Sequence, residues 1–118
     1  MGNIRIELIF QDFVCKAELF DTNIANRFAD NLPYNIPLTC WGNELYGPIH
    51  KNLGTENPVQ YIPKGGIAYT NQGGYVCIFF GQTPAWPVEY VGQISDDGWH
   101  RLTKCSNGES LLIRAFED

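Results

Sequence analysis

Two runs near the amino terminus alternate regularly between hydrophobic and polar residues. Residues 3–10 and 13–20 place an apolar side chain at every second position, as at Ile4, Ile6, Leu8 and Phe10. A period of two is typical of a β-strand with one buried face. Only Gln11 and Asp12 separate the two runs. The pattern therefore predicts an antiparallel hairpin.

The spacing then changes to that of a helix. Apolar residues recur every three or four positions and form one helical face, namely Ile24, Ala25, Phe28, Ala29 and Leu32. Asp21 or Thr22 can cap the start of this helix. Pro33 ends it, because the residue before a proline avoids the helical region. No other segment has a convincing helical pattern.

The rest of the chain consists of short strand-like runs separated by turns. The predicted strands cover residues 36–41, 59–62, 66–70, 75–80, 90–94 and 110–116, with a loop at 42–58. Twelve glycines and seven prolines lie mostly between these runs, as turns require. Short, evenly spaced strands with one helix predict a mainly β fold, a closed or nearly closed barrel.

Length and composition limit the functional classes. The 118 residues predict a single domain spanning 1–118, and a content of 44% hydrophobic residues is enough for a core. The net charge is −5 and the eight Lys and Arg residues are scattered, so we expect no nucleic-acid partner. No apolar run approaches the roughly 20 residues that a bilayer requires. We therefore expect a cytoplasmic protein without a membrane partner.

The four cysteines are widely separated, and three of them lie in strand-like runs. This placement favours buried free thiols over a disulfide, a metal site or a catalytic role; the residues are Cys15, Cys40, Cys77 and Cys105. The sequence contains no Cys-x-x-Cys or His-x-x-x-His pair. We predict no metal and no cofactor.

Neither the acidic residues nor the histidines form a catalytic motif. Asp96 and Asp97 precede a glycine and indicate a turn, whereas Glu44 and Glu89 lie beside aromatic residues and are better candidates for a site. His50 and His100 stand outside any recognisable motif. No residue is assigned a catalytic role.

The aromatic residues indicate where a ligand could bind. The most apolar run, residues 75–84, ends in Gly-Gln-Thr-Pro, which is typical of a buried strand leading to a surface loop. Trp86 lies between Pro84 and Pro87 in a rigid loop that cannot join a sheet interior. Its indole is therefore expected over a surface cleft.

Three motifs, taken in order, resemble those of the cyclophilin-like domains of small archaeal and bacterial proteins. They are Trp-Gly-x-Glu-x-Tyr at residues 41–46, Cys-Ile-Phe-Phe-Gly-x-Thr-Pro at 77–84, and Val-Gly-x-Ile at 91–94. The resemblance extends over residues 4–116. It implies a closed eight-stranded barrel with one α-helix capping an end.

The chain departs from true cyclophilins at the residues of their catalytic site. Cyclophilins carry an arginine in a Phe-His-Arg motif and a glutamine before two phenylalanines. This chain has no Phe-His-Arg, and Ile78 occupies the glutamine position. Isomerisation has a barrier of roughly 18 to 20 kcal/mol, and losing one donor commonly costs about 2.7 to 4 kcal/mol. The comparison implies little or no isomerase activity.

Three functions are consistent with the sequence. The first is a binding module for a small molecule or an extended, prolyl-containing peptide, with a groove formed by Trp41, Glu44, Tyr46, Tyr69, Phe80, Gln82, Thr83 and Trp86. The second is a peptidyl-prolyl isomerase with a substitute donor, either His50, Gln82 or Arg101. The third is a structural role in assembly as a homo-oligomer.

Overall fold

The computed structural model describes residues 3–116. Its nine strands are β1 Ile4–Ile9, β2 Val14–Leu19, β3 Tyr34–Pro37, β4 Thr39–Trp41, β5 Glu44–Pro48, β6 Gly66–Thr70, β7 Tyr75–Phe79, β8 Glu89–Ile94 and β9 Ser110–Ala115. An α-helix, α1, spans Asn23–Asp30, and a 3-10 helix spans Asp97–Lys104. None of the helices described is long and apolar enough to cross a membrane.

All nine strands belong to one antiparallel sheet in the order β3-β9-β1-β2-β8-β6-β7-β5-β4. The predicted hairpin is confirmed, since Ile4 pairs with Leu19 and Ile9 pairs with Val14. The sheet curls into a nearly closed barrel, and at the junction Gly47 of β5 approaches the carbonyl oxygen of Pro37 in β3. The mainly β barrel predicted from the sequence is confirmed, with nine strands rather than eight.

The difference in strand number arises in the middle of the chain. The run 36–41, predicted as one strand, is divided at Leu38 into β3 and β4, which lie at opposite ends of the strand order. Strand β5 lies within the segment predicted as a loop and is held by pairing with β7, where Leu45 faces Ile78. Residues 59–62 form, within the described chain, a single bridge between Val59 and Val88.

Helix α1 covers one end of the barrel as predicted. Thr22 caps it, because its hydroxyl oxygen accepts a hydrogen bond from the backbone N–H of Ala25 at 3.2 Å. Ile24, Ala25 and Phe28 are buried in the barrel core. The helix ends at Asp30, two residues before the predicted end.

The 3-10 helix Asp97–Lys104 occupies the place where the sequence predicts a turn. The Asp96 carboxylate begins it by accepting a hydrogen bond from the backbone N–H of Gly98 at 2.7 Å. Leu102 is buried against the barrel core. One buried aliphatic residue is too weak a periodic signal to predict a helix, so tertiary packing decides this element.

The apolar residues form two separate clusters on the two faces of the sheet. The larger cluster fills the barrel, and the smaller one lies on the outer face and contains Ile62, Ala68, Cys77, Phe79 and Val88. Strand β7 contributes to both, since Val76 and Ile78 point into the barrel while Cys77 and Phe79 point outward. The outer cluster is the base of the site described below.

All four cysteines are free. Cys15 and Cys77 are buried, whereas Cys40 and Cys105 are partly exposed. The predicted burial is confirmed for Cys15 and Cys77, whereas Cys40 and Cys105 are only partly buried.

Close packing between β2 and β8 gives a test of the barrel geometry. A Cβ atom at Gly92 would lie 2.5 Å from the carbonyl oxygen of Glu18, which belongs to the neighbouring strand backbone. We expect Gly92→Ala to lower the free energy of unfolding by about 1 to 3 kcal/mol, measured by urea denaturation. Ser110→Ala, at an exposed position of β9, is the control. An unchanged midpoint for Gly92→Ala would contradict this close approach.

Candidate functional site

A cavity of about 370 Å³ lies on the outer face of the barrel. This volume is within the range of about 300 to 1,000 Å³ that is typical of small-molecule sites. Strands β4 to β7 and the loop before β8 form its walls. The lining residues are Trp41, Glu44, Tyr46, Thr70, Tyr75, Cys77, Phe79, Pro84, Ala85, Trp86 and Val88.

The alternation of two paired strands brings the base of the cavity together. Tyr46 of β5 lies opposite Cys77 of β7, and Glu44 lies opposite Phe79. Residues directly opposite in an antiparallel pair point to the same face of the sheet. The intervening residues, such as Ile78, point into the barrel.

Aromatic side chains form most of the wall. Tyr46 and Tyr75 pack edge to face with ring centroids 5.6 Å apart. Trp41 is 53% exposed and Trp86 is 41% exposed, so these two indoles lie at the mouth of the cavity. The prediction that Trp86 covers a surface cleft agrees with this placement.

The indole of Trp86 has a defined orientation. Its Nε1–H donates a hydrogen bond of 2.9 Å to the hydroxyl oxygen of Thr70, a buried residue at the end of β6. The preceding loop is fixed as well, because Gln60 Nε2 donates to the carbonyl oxygen of Pro84 at 3.0 Å. These two hydrogen bonds fix Trp86 and the loop that carries it.

Glu44 is the acidic residue of the lining, and it is only 6% exposed. Burial raises the pKa of its carboxyl, while a hydrogen bond from the Cys77 thiol opposes that shift. Burial also raises the pKa of the Cys77 thiol, and the neighbouring Glu44 raises it further. At the bottom of the cavity the Cys77 thiol is therefore a neutral donor rather than a nucleophilic thiolate.

Half of the eight predicted site residues line the cavity: Trp41, Glu44, Tyr46 and Trp86. Gln82 lies at the rim, where its Oε1 accepts from the Asn43 backbone N–H at 2.8 Å and its Nε2 is 3.5 Å from Glu44 Oε1. Thr83 is exposed and does not line the cavity.

Tyr69 and Phe80 lie on the opposite face from the predicted one. Both belong to the cluster inside the barrel, and the Tyr69 hydroxyl accepts a hydrogen bond from the Leu53 backbone N–H at 2.9 Å. Their assignment to the groove is therefore corrected. The period of two that predicts strand β7 already implies that Cys77 and Phe79 share a face and that Phe80 faces the other way.

The remaining lining residues, which the sequence prediction did not include, fall into two groups. Thr70, Tyr75, Cys77 and Phe79 follow from strand alternation once one member of the face is known. Pro84, Ala85 and Val88 have no such signal, because the path of a loop depends on the surface it packs against. The lining that the structure describes contains no Lys, Arg or His, so His50 and Arg101 are not placed in the cavity.

No group of three or more metal-ligating side chains occurs among residues 3–116. The lining offers one carboxylate and one thiol, Glu44 and Cys77, and its other members are aromatic, aliphatic or hydroxyl side chains. Chemically, the arrangement suits the enclosure of an apolar or aromatic group beside one acidic group.

Comparison with known proteins assigns the family. The profile of the Cyclophilin-like family matches residues 4–114. The chain belongs to the Cyclophilin-like family. This match confirms the resemblance predicted from the three motifs. No curated protein matches the chain in sequence.

Two solved structures share this Cyclophilin-like fold. A hypothetical protein from Archaeoglobus fulgidus is 26% identical, with a TM-score of 0.82 and coverage of 98% of both chains. McbB, solved in complex with tryptophan, is 17% identical with a TM-score of 0.74. The alignment covers 96% of the present chain but 45% of McbB, and at this identity the likeness shows the fold alone.

The raised pKa of Glu44 gives a prediction for stability. The folded protein holds this proton more tightly than the unfolded chain does, so the ionised carboxylate destabilises the fold once the pH exceeds the unfolded pKa. We expect Glu44→Gln to have a higher free energy of unfolding than wild type near pH 7, and we expect this difference to vanish below about pH 4.

Urea denaturation at both pH values measures this difference. Glu18→Gln, which removes one negative charge from strand β2 outside the cavity, is the matched control. A Glu44→Gln variant that is less stable than wild type near pH 7 would show that the carboxylate contributes favourable contacts instead.

Proposed function

We propose that this protein is a binding module whose outer cavity holds a small organic molecule or one side chain of an extended peptide. The observation that carries the proposal is the composition of the cavity wall. Five aromatic residues surround a space of about 370 Å³, namely Trp41, Tyr46, Tyr75, Phe79 and Trp86. Concave, aromatic-lined sites with few polar groups are typical of ligand pockets.

The two exposed tryptophans support a binding role. A tryptophan side chain that stays 41% to 53% exposed contributes little to the barrel core. Trp86 is nevertheless held by its hydrogen bond to Thr70. A wall that is ordered in advance loses less side-chain conformational entropy when a ligand binds, which favours affinity.

The same fold has been solved with an aromatic ligand in another protein. McbB is described in complex with tryptophan, although its identity to this chain is only 17%. This precedent supports testing aromatic small molecules first. The extended peptide remains the second ligand class, as predicted from the sequence.

The lining supports binding more than prolyl isomerisation. An isomerase must stabilise the twisted amide more than the planar one, which requires a donor aimed at the reacting amide. The donor nearest to the cavity among the three sequence candidates is the Gln82 amide, which is already directed toward Glu44 at 3.5 Å. A cytoplasmic location and the lack of nucleic-acid or membrane partners remain predictions from the sequence.

Tryptophan variants test the binding site. Aromatic fragments and a proline-containing peptide are titrated into ¹⁵N-labelled protein, and binding is followed by amide chemical shifts. We expect Trp86→Ala and Trp41→Ala each to weaken binding by about tenfold or more, because truncated aromatic anchors commonly cost about 2 kcal/mol.

Tyr61→Ala is the matched control, since Tyr61 is 73% exposed and does not line the cavity. Binding that survives both tryptophan substitutions would contradict the assignment of the cavity. Light scattering on the same samples tests the assembly alternative. A dimer that dissociates on substitution of Trp41 or Trp86 would identify the mouth as a subunit contact instead.

A protease-coupled assay with a prolyl peptide tests the isomerase alternative. We expect a rate equal to the uncatalysed rate, because the described lining presents no guanidinium to the prolyl amide. Acceleration that is lost in Gln82→Ala and retained in Tyr61→Ala would establish isomerase activity and identify its donor.

A further inference from the structure

The lining of the cavity that the structure describes carries a negatively charged group and no positively charged one. Glu44 contributes a carboxylate, and no Lys, Arg or His belongs to the lining within the described chain. Cys77 contributes a neutral thiol. The site therefore combines an acidic group with apolar walls and lacks a fixed counter-charge from the lining itself.

A second buried carboxylate shows how unusual the surroundings of Glu44 are. Glu89 is also 6% exposed, but it accepts hydrogen bonds from the backbone N–H groups of Glu56 and Asn57 at 3.0 to 3.1 Å. These bonds fasten the loop to β8, so burial of Glu89 has a structural explanation.

Glu44 has no comparable set of backbone donors in the described chain. Its contacts there are a thiol hydrogen bond from Cys77 and the Gln82 amide at 3.5 Å, which is long for a charge-assisted bond. A carboxylate has about four acceptor positions, so these two contacts leave capacity for a donor inside the cavity.

The walls provide a second attraction for positive charge. The faces of tryptophan and tyrosine rings attract cations, and several such rings around one space form the aromatic cages that bind ammonium groups. Trp41, Tyr46, Tyr75 and Trp86 all line the space that Glu44 borders.

We propose that the cavity selects an organic ammonium ion with an apolar or aromatic body. The ammonium group donates to the Glu44 carboxylate, and the body packs against the rings. This inference rests on the proposed binding function and specifies its ligand class. The same chemistry can come from a free amine or from the amino terminus of a peptide.

Three probes of similar shape separate charge from shape. They are phenethylamine, which is cationic, 2-phenylethanol, which is neutral, and 3-phenylpropanoate, which is anionic. Titrations into ¹⁵N-labelled protein report both the affinity and the residues affected. We expect phenethylamine to bind about tenfold more tightly than either other probe, which corresponds to about 1.4 kcal/mol.

The source of the ammonium group is tested with a peptide pair. Phenylalanylglycinamide carries a free amino terminus, and its N-acetyl form has the same body without the charge. Tighter binding of the unacetylated peptide than of phenethylamine favours a peptide ligand. Weaker binding favours a free amine.

Glu44→Gln tests the assigned residue because it preserves size while removing the charge. We expect this variant to bind phenethylamine and 2-phenylethanol equally, with the affinity for 2-phenylethanol retained. Glu18→Gln, which removes one charge elsewhere, keeps the tenfold preference. A preference that persists in Glu44→Gln overturns the role of Glu44.

The failures of the two proposals are distinguishable. If all three probes bind the wild-type cavity equally, the ammonium inference is overturned and the binding function stands. If no probe binds at millimolar concentration, the ammonium inference is also overturned. The tryptophan variants with other fragments then decide the binding function separately.

Discussion

Strand β7 is buried on both of its faces, and the rest of the structure depends on this constraint. Its side chains alternate between the barrel core and the outer cluster, so one strand supports two apolar layers. Its backbone is paired on both edges, with β5 and with β6. A strand of this kind cannot shift by one residue, because every side chain would change face. The candidate site inherits its geometry from that fixed register.

Glu44 and Glu89 are both buried, but they differ in how the cost of burying a carboxylate is compensated. Removing a carboxylate from water is unfavourable unless hydrogen bonds or an opposite charge compensate for it. Glu89 obtains this compensation from backbone N–H groups, whereas Glu44 obtains less of it from Cys77 and Gln82. This contrast supports the proposal that Glu44 contacts a bound ligand.

Local patterns were sufficient to predict much of the fold and part of the site. The hairpin, the capping helix and the barrel follow from periodicity over adjacent residues. The two prolines around Trp86 hold it in a loop and so predict its position at a cleft. By contrast, the position of Phe80 beside the loop predicts a place in the groove, whereas strand alternation places Phe79 there. Strand β5 was missed because five residues containing Gly47 and Pro48 carry a weak β signal, and distant pairing with β7 stabilises them.

The sequence by itself determined the secondary-structure periods, the Cyclophilin-like family and the chemical types available for a site. These properties depend on residues that are close in the chain, so they can be read without coordinates. Only the tertiary structure decided which aromatic residues share a cavity and which buried carboxylate receives hydrogen bonds from backbone N–H groups. Both depend on pairing between distant strands and on loops packing over the sheet, and a local pattern contains no information about those contacts.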